Sequence, residues 1–304
     1  MTKRTPGRFG AVLTAMVTPF DESGALDLDG AIGLAKHLVD CGTEGVVVSG
    51  TTGEAPVLSD TERVDLFRAL AESLTIPVIA GSTTNDTAHS VEMTRAAERA
   101  GVAGILAVTP YYNRPSQMGL ARHFTAVAEA TTLPVILYDI PVRTGRKIAN
   151  ATMLQLAREV RNIVGVKDAA GDVSGTARLL AEAPEGFDCY SGEDALTLPL
   201  LAVGAVGAIC VASHWVGPEI AEMIHRFLAG DAEGARQLNA ETIEPVAFQS
   251  SDEAPNPMPA KAMLRAMGQP AGQCRLPHGP APGWLDELAG TVLAELEEWR
   301  AARG

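Results

Sequence analysis

At 304 residues, 46% of them hydrophobic, the chain has ample material for a large buried core, which excludes a disordered protein and fits one large α/β barrel or two smaller domains. Its formal charge of -13, without any Lys/Arg-rich stripe, argues against nucleic acid or an anionic membrane surface as the main partner. An anionic substrate would have to be drawn in by a few local cations, so single arginines near a site carry information.

In chain order, Lys3, Arg4 and Arg8 precede the apolar stretch Ala11-Val12-Leu13-Thr14-Ala15-Met16-Val17 in the manner of a secretory signal. The stretch is short, contains Thr14 and runs into Pro19-Phe20-Asp21-Glu22 without a small-x-small cleavage site, so it reads as a strand. No apolar run approaches the ~18 residues that a membrane span requires. Short β-branched runs then alternate with segments of helical periodicity, the pattern of parallel βαβ units. The predicted strands are Val12–Thr18, Gly45–Gly50, Pro77–Ser82, Gly104–Thr109, Pro134–Asp139, Ile163–Asp168, Phe187–Gly192 and Gly207–Ala212. Candidate helices between them include Asp60–Leu74, Asp86–Ala100, Ser116–Ala130 and Asn150–Glu159, each opened by a residue suited to capping. Past Gly230 the strand signal ends; Ala232–Val246, Pro259–Met267 and Gly283–Arg300 read as helices, with a Pro/Gly-rich connection, Gly268–Pro282, before the last.

Eight such units suit an α/β fold of the (β/α)8 TIM barrel type with a C-terminal helical extension. The expected organisation is an N-terminal tail over 1–10, the barrel over 11–229 and a helical region over 230–304. A doubly wound sheet is the alternative, but no G-x-G-x-x-G follows the first strand and there is no obvious switch point. Four widely spaced cysteines (Cys41, Cys189, Cys210, Cys274) without a C-x-x-C read as reduced thiols of a cytoplasmic protein, with neither a disulfide framework nor a zinc knuckle.

In a TIM barrel the active site is assembled where the strands end. Strand six ends in Lys167 after the apolar run Ile163-Val164-Gly165-Val166, and a buried strand rarely terminates in an ammonium without a chemical reason. Desolvation disfavours the charged form of a lysine and supplies the neutral amine that attacks a ketone to form a Schiff base. The other strand ends add Ser49-Gly50-Thr51-Thr52-Gly53-Glu54, Thr109-Pro110-Tyr111-Tyr112-Asn113, Tyr138 followed by Arg143-Thr144-Gly145, and Ser191-Gly192-Glu193-Asp194. Carbinolamine formation and dehydration need a proton donor and acceptor beside the amine, which a tyrosine hydroxyl can supply, and Tyr138 is one strand from Lys167. Gly165, on the same face as Lys167, is expected to leave space beneath the lysine stem.

Other features read as structural. The six histidines (His37, His89, His123, His214, His225, His278) show no paired metal-ligand spacing, so no metal site is expected. Asp139 and Asp168 alternate out of phase with Tyr138 and Lys167 and read as loop or supporting carboxylates. Tyr111 and Tyr112, taken alone, are compatible with packing aromatics. Glu193 and Asp194 would repel a phosphate, and no P-loop occurs.

The ordered set of motifs resembles the dihydrodipicolinate synthase branch of the pyruvate-dependent class I aldolases over nearly the whole chain. It consists of Gly50-Thr51-Thr52-Gly53-Glu54, Val108-Thr109-Pro110-Tyr111-Tyr112-Asn113-Arg114-Pro115, Tyr138-x-x-Pro141-x-Arg143-Thr144-Gly145, Gly165-Val166-Lys167-Asp168, Ser191-Gly192-x-Asp194, and Asn256-Pro257-x-Pro259-x-Lys261 with Arg275-Leu276-Pro277. The resemblance implies that Lys167 forms an imine with pyruvate, without a cofactor. It makes Tyr138, Thr51 and Tyr112 a proton relay, with Tyr112 reaching into a neighbouring subunit of a homotetramer (a dimer of dimers). Thr51 and Thr52 would hold the pyruvate carboxylate, backbone groups of Gly192 and Ile209 would line the pocket, and Arg143 would bind the carboxylate of aspartate-4-semialdehyde.

Departures from the family pattern are Asp139 for a common Asn, Cys210 for Ser and His214 for Asn. At the positions that bind feedback lysine in inhibited relatives, Asn85 and Tyr111 are kept but Ala55, Asp60, Arg63 and His89 differ, so lysine inhibition is expected to be weak or absent. Two rival readings remain from the sequence: a sister aldolase of sugar acids such as N-acetylneuraminate or 2-keto-3-deoxygluconate, against which Arg143 argues, and a non-catalytic paralogue.

Overall fold

The computed structural model describes residues 5–303. Its eight parallel strands are β1 (Val12–Ala15), β2 (Gly45–Val48), β3 (Val78–Gly81), β4 (Gly104–Val108), β5 (Val135–Asp139), β6 (Ile163–Asp168), β7 (Asp188–Ser191) and β8 (Gly207–Cys210). They form a closed barrel in which β1 pairs with both β2 and β8, so the doubly wound alternative is excluded. Most predicted strands are longer than the observed ones because the last apolar residues leave the ladder to begin the loops at the barrel mouth. Met16 and Val17 of the first run are examples; both remain buried.

Side-chain alternation divides the core in two. Leu13, Val47, Ile79, Leu106, Ile136, Tyr190 and Ile209 point inward and fill the barrel, while Val12, Val46, Val78, Ile105, Val135 and Val166 face the surrounding helices. Phe9 joins the inner cluster, its backbone N–H donating to the Tyr190 hydroxyl at 3.2 Å. Arg8 is tied to Asp188 at 3.0 Å; Lys3 and Arg4, the other cations of the signal-like N-terminus, lie outside the described residues.

Helix starts follow their capping chemistry. Asp86 and Ser116 cap as expected, accepting from the backbone N–H groups of Ala88 and Gly119. The cap before the helix Asp60–Ser73 is Ser59 rather than Asp60, because Ser59 and Glu62 close a reciprocal capping box. The helix Asn150–Glu159 is preceded by Ala149, and the Asn150 amide instead donates to the Gly175 carbonyl at 2.8 Å.

In the C-terminal region the expected helix Ala232–Val246 is divided into Ala232–Glu241 and Ile243–Ala247. Thr242 bonds back to the Leu238 carbonyl, and Pro245 lacks the N–H that would continue the ladder. The helices Met258–Ala266 and Gly283–Arg303 pack on each other, and Arg300 pairs with Glu219 of the helix Ser213–Ala229. Among the described residues no helix is long and apolar enough to cross a membrane.

Candidate active site

Lys167 is the penultimate residue of β6 and is 4% exposed, opposite Tyr138 of β5 on one side and Tyr190 of β7 on the other. Its Nζ lies 4.5 Å from the centroid of the Tyr138 ring, and no carboxylate lies within ion-pair distance among the described residues. A bulge between Val135 and Ile136 of β5 and the start of β6 sets the phase that turns Lys167 inward. Gly165 does not open space under the lysine stem as expected. A Cβ there would lie 2.3 Å from the Asp188 carbonyl oxygen, so the glycine serves the close approach of β7.

A cavity of about 640 Å³ opens over Lys167, and Thr51, Thr52, Tyr138, Arg143 and Gly192 line it as well. Gly192 has to be glycine, because a Cβ would lie 2.9 Å from Cγ of Lys167. The roof of the cavity comes from the C-terminal region, including Val246, Ser250 and Asn256. Ile209 does not line it; the side chain sits in the packed barrel interior. Tyr112 is also absent from the lining, being 90% exposed and held at φ +70°. Within this chain, then, six of the eight expected site residues meet at one cavity.

Backbone strain is concentrated here. The non-glycine residues with positive φ among those described are Ser49, Glu54, Tyr112 and Arg114, all in the loops that follow β2 and β4. Conformations of this kind cost on the order of 1–3 kcal/mol each and persist where surrounding contacts impose them.

The carboxylates beside the site are structural, as their phase suggests. Asp168 accepts from the Thr176 hydroxyl and the Ala170 N–H, bracing the loop after β6. Asp139 is fully buried; it accepts from the Ile148 N–H at 3.0 Å and pairs with Lys147 at 3.3 Å. Burial raises the Asp139 carboxyl to about 6 despite those contacts. Asp194, also raised to about 6 by desolvation, accepts from the N–H groups of Val211 and Ala212 and clips the loop after β7 to the end of β8.

His214, one of the departures from the family pattern, is buried and bonded at both ring nitrogens. Its Nδ1 donates to the Val211 carbonyl, its Nε2 accepts from the Val17 N–H, and burial lowers its pKa to about 4, keeping it neutral. Arg63 is buried and donates to Ser49 Oγ at 3.0 Å and the Gly81 carbonyl at 2.6 Å. His89 is paired with Asp60 at 2.9 Å, whereas Arg63 has no carboxylate partner among the described residues.

Two neighbours of the site belong to the sequence motifs without an expected role of their own. Glu54 pairs with Lys261 at 2.7 Å, both side chains almost wholly buried, and also accepts from the Arg275 N–H. The Lys261 Nζ additionally sits 4.1 Å from the Phe20 ring centroid. This ties the loop bearing Thr51 and Thr52 to the C-terminal region. The second neighbour is Asn256, whose side-chain amide donates to Thr52 Oγ1 at 3.0 Å and whose backbone carbonyl accepts from Arg143 at 3.3 Å. A lysine inside the apolar run Met258-Pro259-Ala260-Lys261-Ala262-Met263-Leu264 is a signal for the first, since a buried ammonium requires a partner.

Residues 8–286 match the Dihydrodipicolinate synthetase family. The chain belongs to this family. It is 50% identical to the 4-hydroxy-tetrahydrodipicolinate synthase of Moorella thermoacetica over 97% of both chains. Identity to the synthase of the same name from Symbiobacterium thermophilum is 51%, over 94% of this chain and 98% of that one. Among solved structures, the enzyme from Cyanidioschyzon merolae with lysine bound superposes with a TM-score of 0.91 at 38% identity, covering 95% of this chain and 98% of that one.

Proposed function

We propose that the chain joins pyruvate to L-aspartate-4-semialdehyde through an imine on Lys167, giving 4-hydroxy-tetrahydrodipicolinate on the route to diaminopimelate and lysine. The lyase activity itself is that of the relatives described above, and the sugar-acid alternative is not favoured. What carries the residue assignment is the geometry: a buried lysine without a carboxylate partner, facing a tyrosine ring in a cavity that also holds two threonine hydroxyls and an arginine.

The pyruvate carboxylate rests on the hydroxyls of Thr51 and Thr52, with the backbone of Gly192 beside it. Lys167 Nζ adds to the ketone carbon. Tyr138, with Thr51 and the partner subunit's Tyr112, moves the protons that turn the carbinolamine into imine and water. Loss of a methyl proton gives the enamine, whose carbon attacks the aldehyde while Arg143 holds the second substrate's carboxylate. The amine of that substrate then adds to the imine carbon and expels the Lys167 amine, closing the ring and freeing the enzyme.

The substrate carbonyl and Lys167 supply the electrophile and nucleophile between them, so the chemistry calls for no further cofactor. A phenol projecting into solvent from a left-handed backbone supports a homotetrameric assembly in which Tyr112 completes a second subunit's relay. Four unpaired cysteines are in keeping with a cytoplasmic location.

The test is borohydride reduction in the presence of pyruvate, followed by intact-mass measurement. The wild-type protein should gain one reduced pyruvate unit and Lys167→Ala none, with its fold intact by circular dichroism. No adduct on the wild type, or an undiminished adduct on Lys167→Ala, would overturn the assignment. An aldehyde panel on the same protein checks the second substrate.

A further inference from the structure

Asn256 is nine-tenths buried at the roof of the cavity, in the C-terminal segment and 204 residues from Thr52 along the chain. Its side chain is anchored by one bond, from Nδ2 to Thr52 Oγ1, and its Oδ1 accepts nothing within the described chain. An amide NH₂ can only donate, so Thr52 Oγ1 is the acceptor in that bond. The single hydrogen of the Thr52 hydroxyl is left free, and Thr52 lines the cavity.

We infer that Asn256 is a positioning residue that sets the polarity of the Thr52 hydroxyl, so that it donates to the pyruvate carboxylate. This rests on Thr52 as a pyruvate contact. The same residue steadies Arg143 through its backbone carbonyl, which gives one loop a hand in both substrate grips and separates them experimentally. A side-chain replacement removes the Thr52 contact and leaves the carbonyl for Arg143.

The chemistry predicts an order of damage that packing alone would reverse. Aspartate is nearly isosteric with asparagine, yet a carboxylate accepts where the amide donated. It would take the Thr52 hydrogen for itself and place a negative charge near a carboxylate substrate. Alanine only lets the hydroxyl rotate.

Steady-state kinetics of the intact oligomer test this. Asn256→Ala should raise KM for pyruvate roughly three- to tenfold, the span of a lost hydrogen bond, with kcat at saturating pyruvate nearly unchanged. Asn256→Asp should raise it about tenfold further, as expected for a like-charge contact. KM for aspartate-4-semialdehyde should stay within about twofold in both variants, since a backbone contact survives the substitution. Asp tolerated as well as Ala, or both KM values rising in parallel, overturns the inference. Thr52→Val with an unchanged KM for pyruvate would instead overturn the reading of Thr52 on which it rests. Should Asn256→Asp not fold, the cycle of Thr52→Val with Asn256→Ala decides: the second change should add nothing to the first, and additive effects overturn the proposal.

Discussion

Two lysines are buried among the described residues, and their surroundings are opposites. Lys261, at the junction of the C-terminal helices with the loop after β2, is matched by Glu54 at 2.7 Å and lies over the Phe20 ring. Lys167, at the barrel mouth, has a tyrosine ring and a cavity but no matched carboxylate. Burial is therefore a poor guide to reactivity by itself. A buried ammonium held by a carboxylate is a strut; one with no carboxylate in ion-pair contact, beside a space large enough for substrate, is available for chemistry.

Substituting each lysine in turn is the sharpest way to break this contrast. Lys167→Met should abolish condensation, a loss of at least about a thousandfold, because no other amine in the cavity can form the imine. Its Tm should hold or rise, since a desolvated cation is replaced by a well-packed thioether. Lys261→Met should do the reverse, retaining imine formation while the protein loses about 3–5 kcal/mol from an unpaired Glu54. Thermal melts and borohydride trapping on both variants check this, and Glu54→Leu combined with Lys261→Met should recover most of the lost stability. Equal damage to trapping by the two substitutions would erase the distinction.

Arg143 extends the contrast to the substrates. Arg143→Ala should raise KM for aspartate-4-semialdehyde about 10–100-fold and KM for pyruvate much less, as expected for one charge-assisted carboxylate contact. Equal effects on both substrates, or faster turnover with N-acetylmannosamine, would reassign the second substrate.

The smallest expected effect concerns Asp139, which has a cation nearby but only at 3.3 Å and on a half-exposed Lys147. Its pKa rises from 3.8 to about 6 on folding, so between those values the folded state holds more proton than the unfolded. The stability it contributes is thus fully present below pH 4 and lost as pH climbs through 6. Asp139→Asn keeps an acceptor for the Ile148 N–H and does not titrate. Relative to wild type it should gain about 2 kcal/mol on going from pH 4 to pH 8, read from Tm at each pH. A difference independent of pH would mean that Asp139 is ionised throughout at little cost.

Much of this was legible in the sequence because it depends on local periodicity. Eight β-branched runs separated by helical segments dictate a closed parallel barrel, and residues at the run ends must gather at one rim, so Lys167, Tyr138, Thr51, Thr52, Arg143 and Gly192 could be named from spacing and motif. Ile209 and Gly165 show the limit. The resemblance gives the pocket the backbone of Ile209, and the face shared with Lys167 gives Gly165 the space beneath its stem, but whether a residue lines a cavity or fills the interior depends on how neighbouring strands approach, as Asp188 does at Gly165.

What only the tertiary structure decided are the contacts between parts far apart in the chain. The residue facing Thr52 is Asn256, and the partner of Glu54 is Lys261. Sequence spacing is silent about both, because hydrogen bonds and ion pairs reach about 3 Å and are set by the final packing of the C-terminal region over the barrel mouth. The sequence alone determined which chemical groups are present and on which end of the barrel they stand. Folding determined which of the buried charges are neutralised, and so which lysine is left to react.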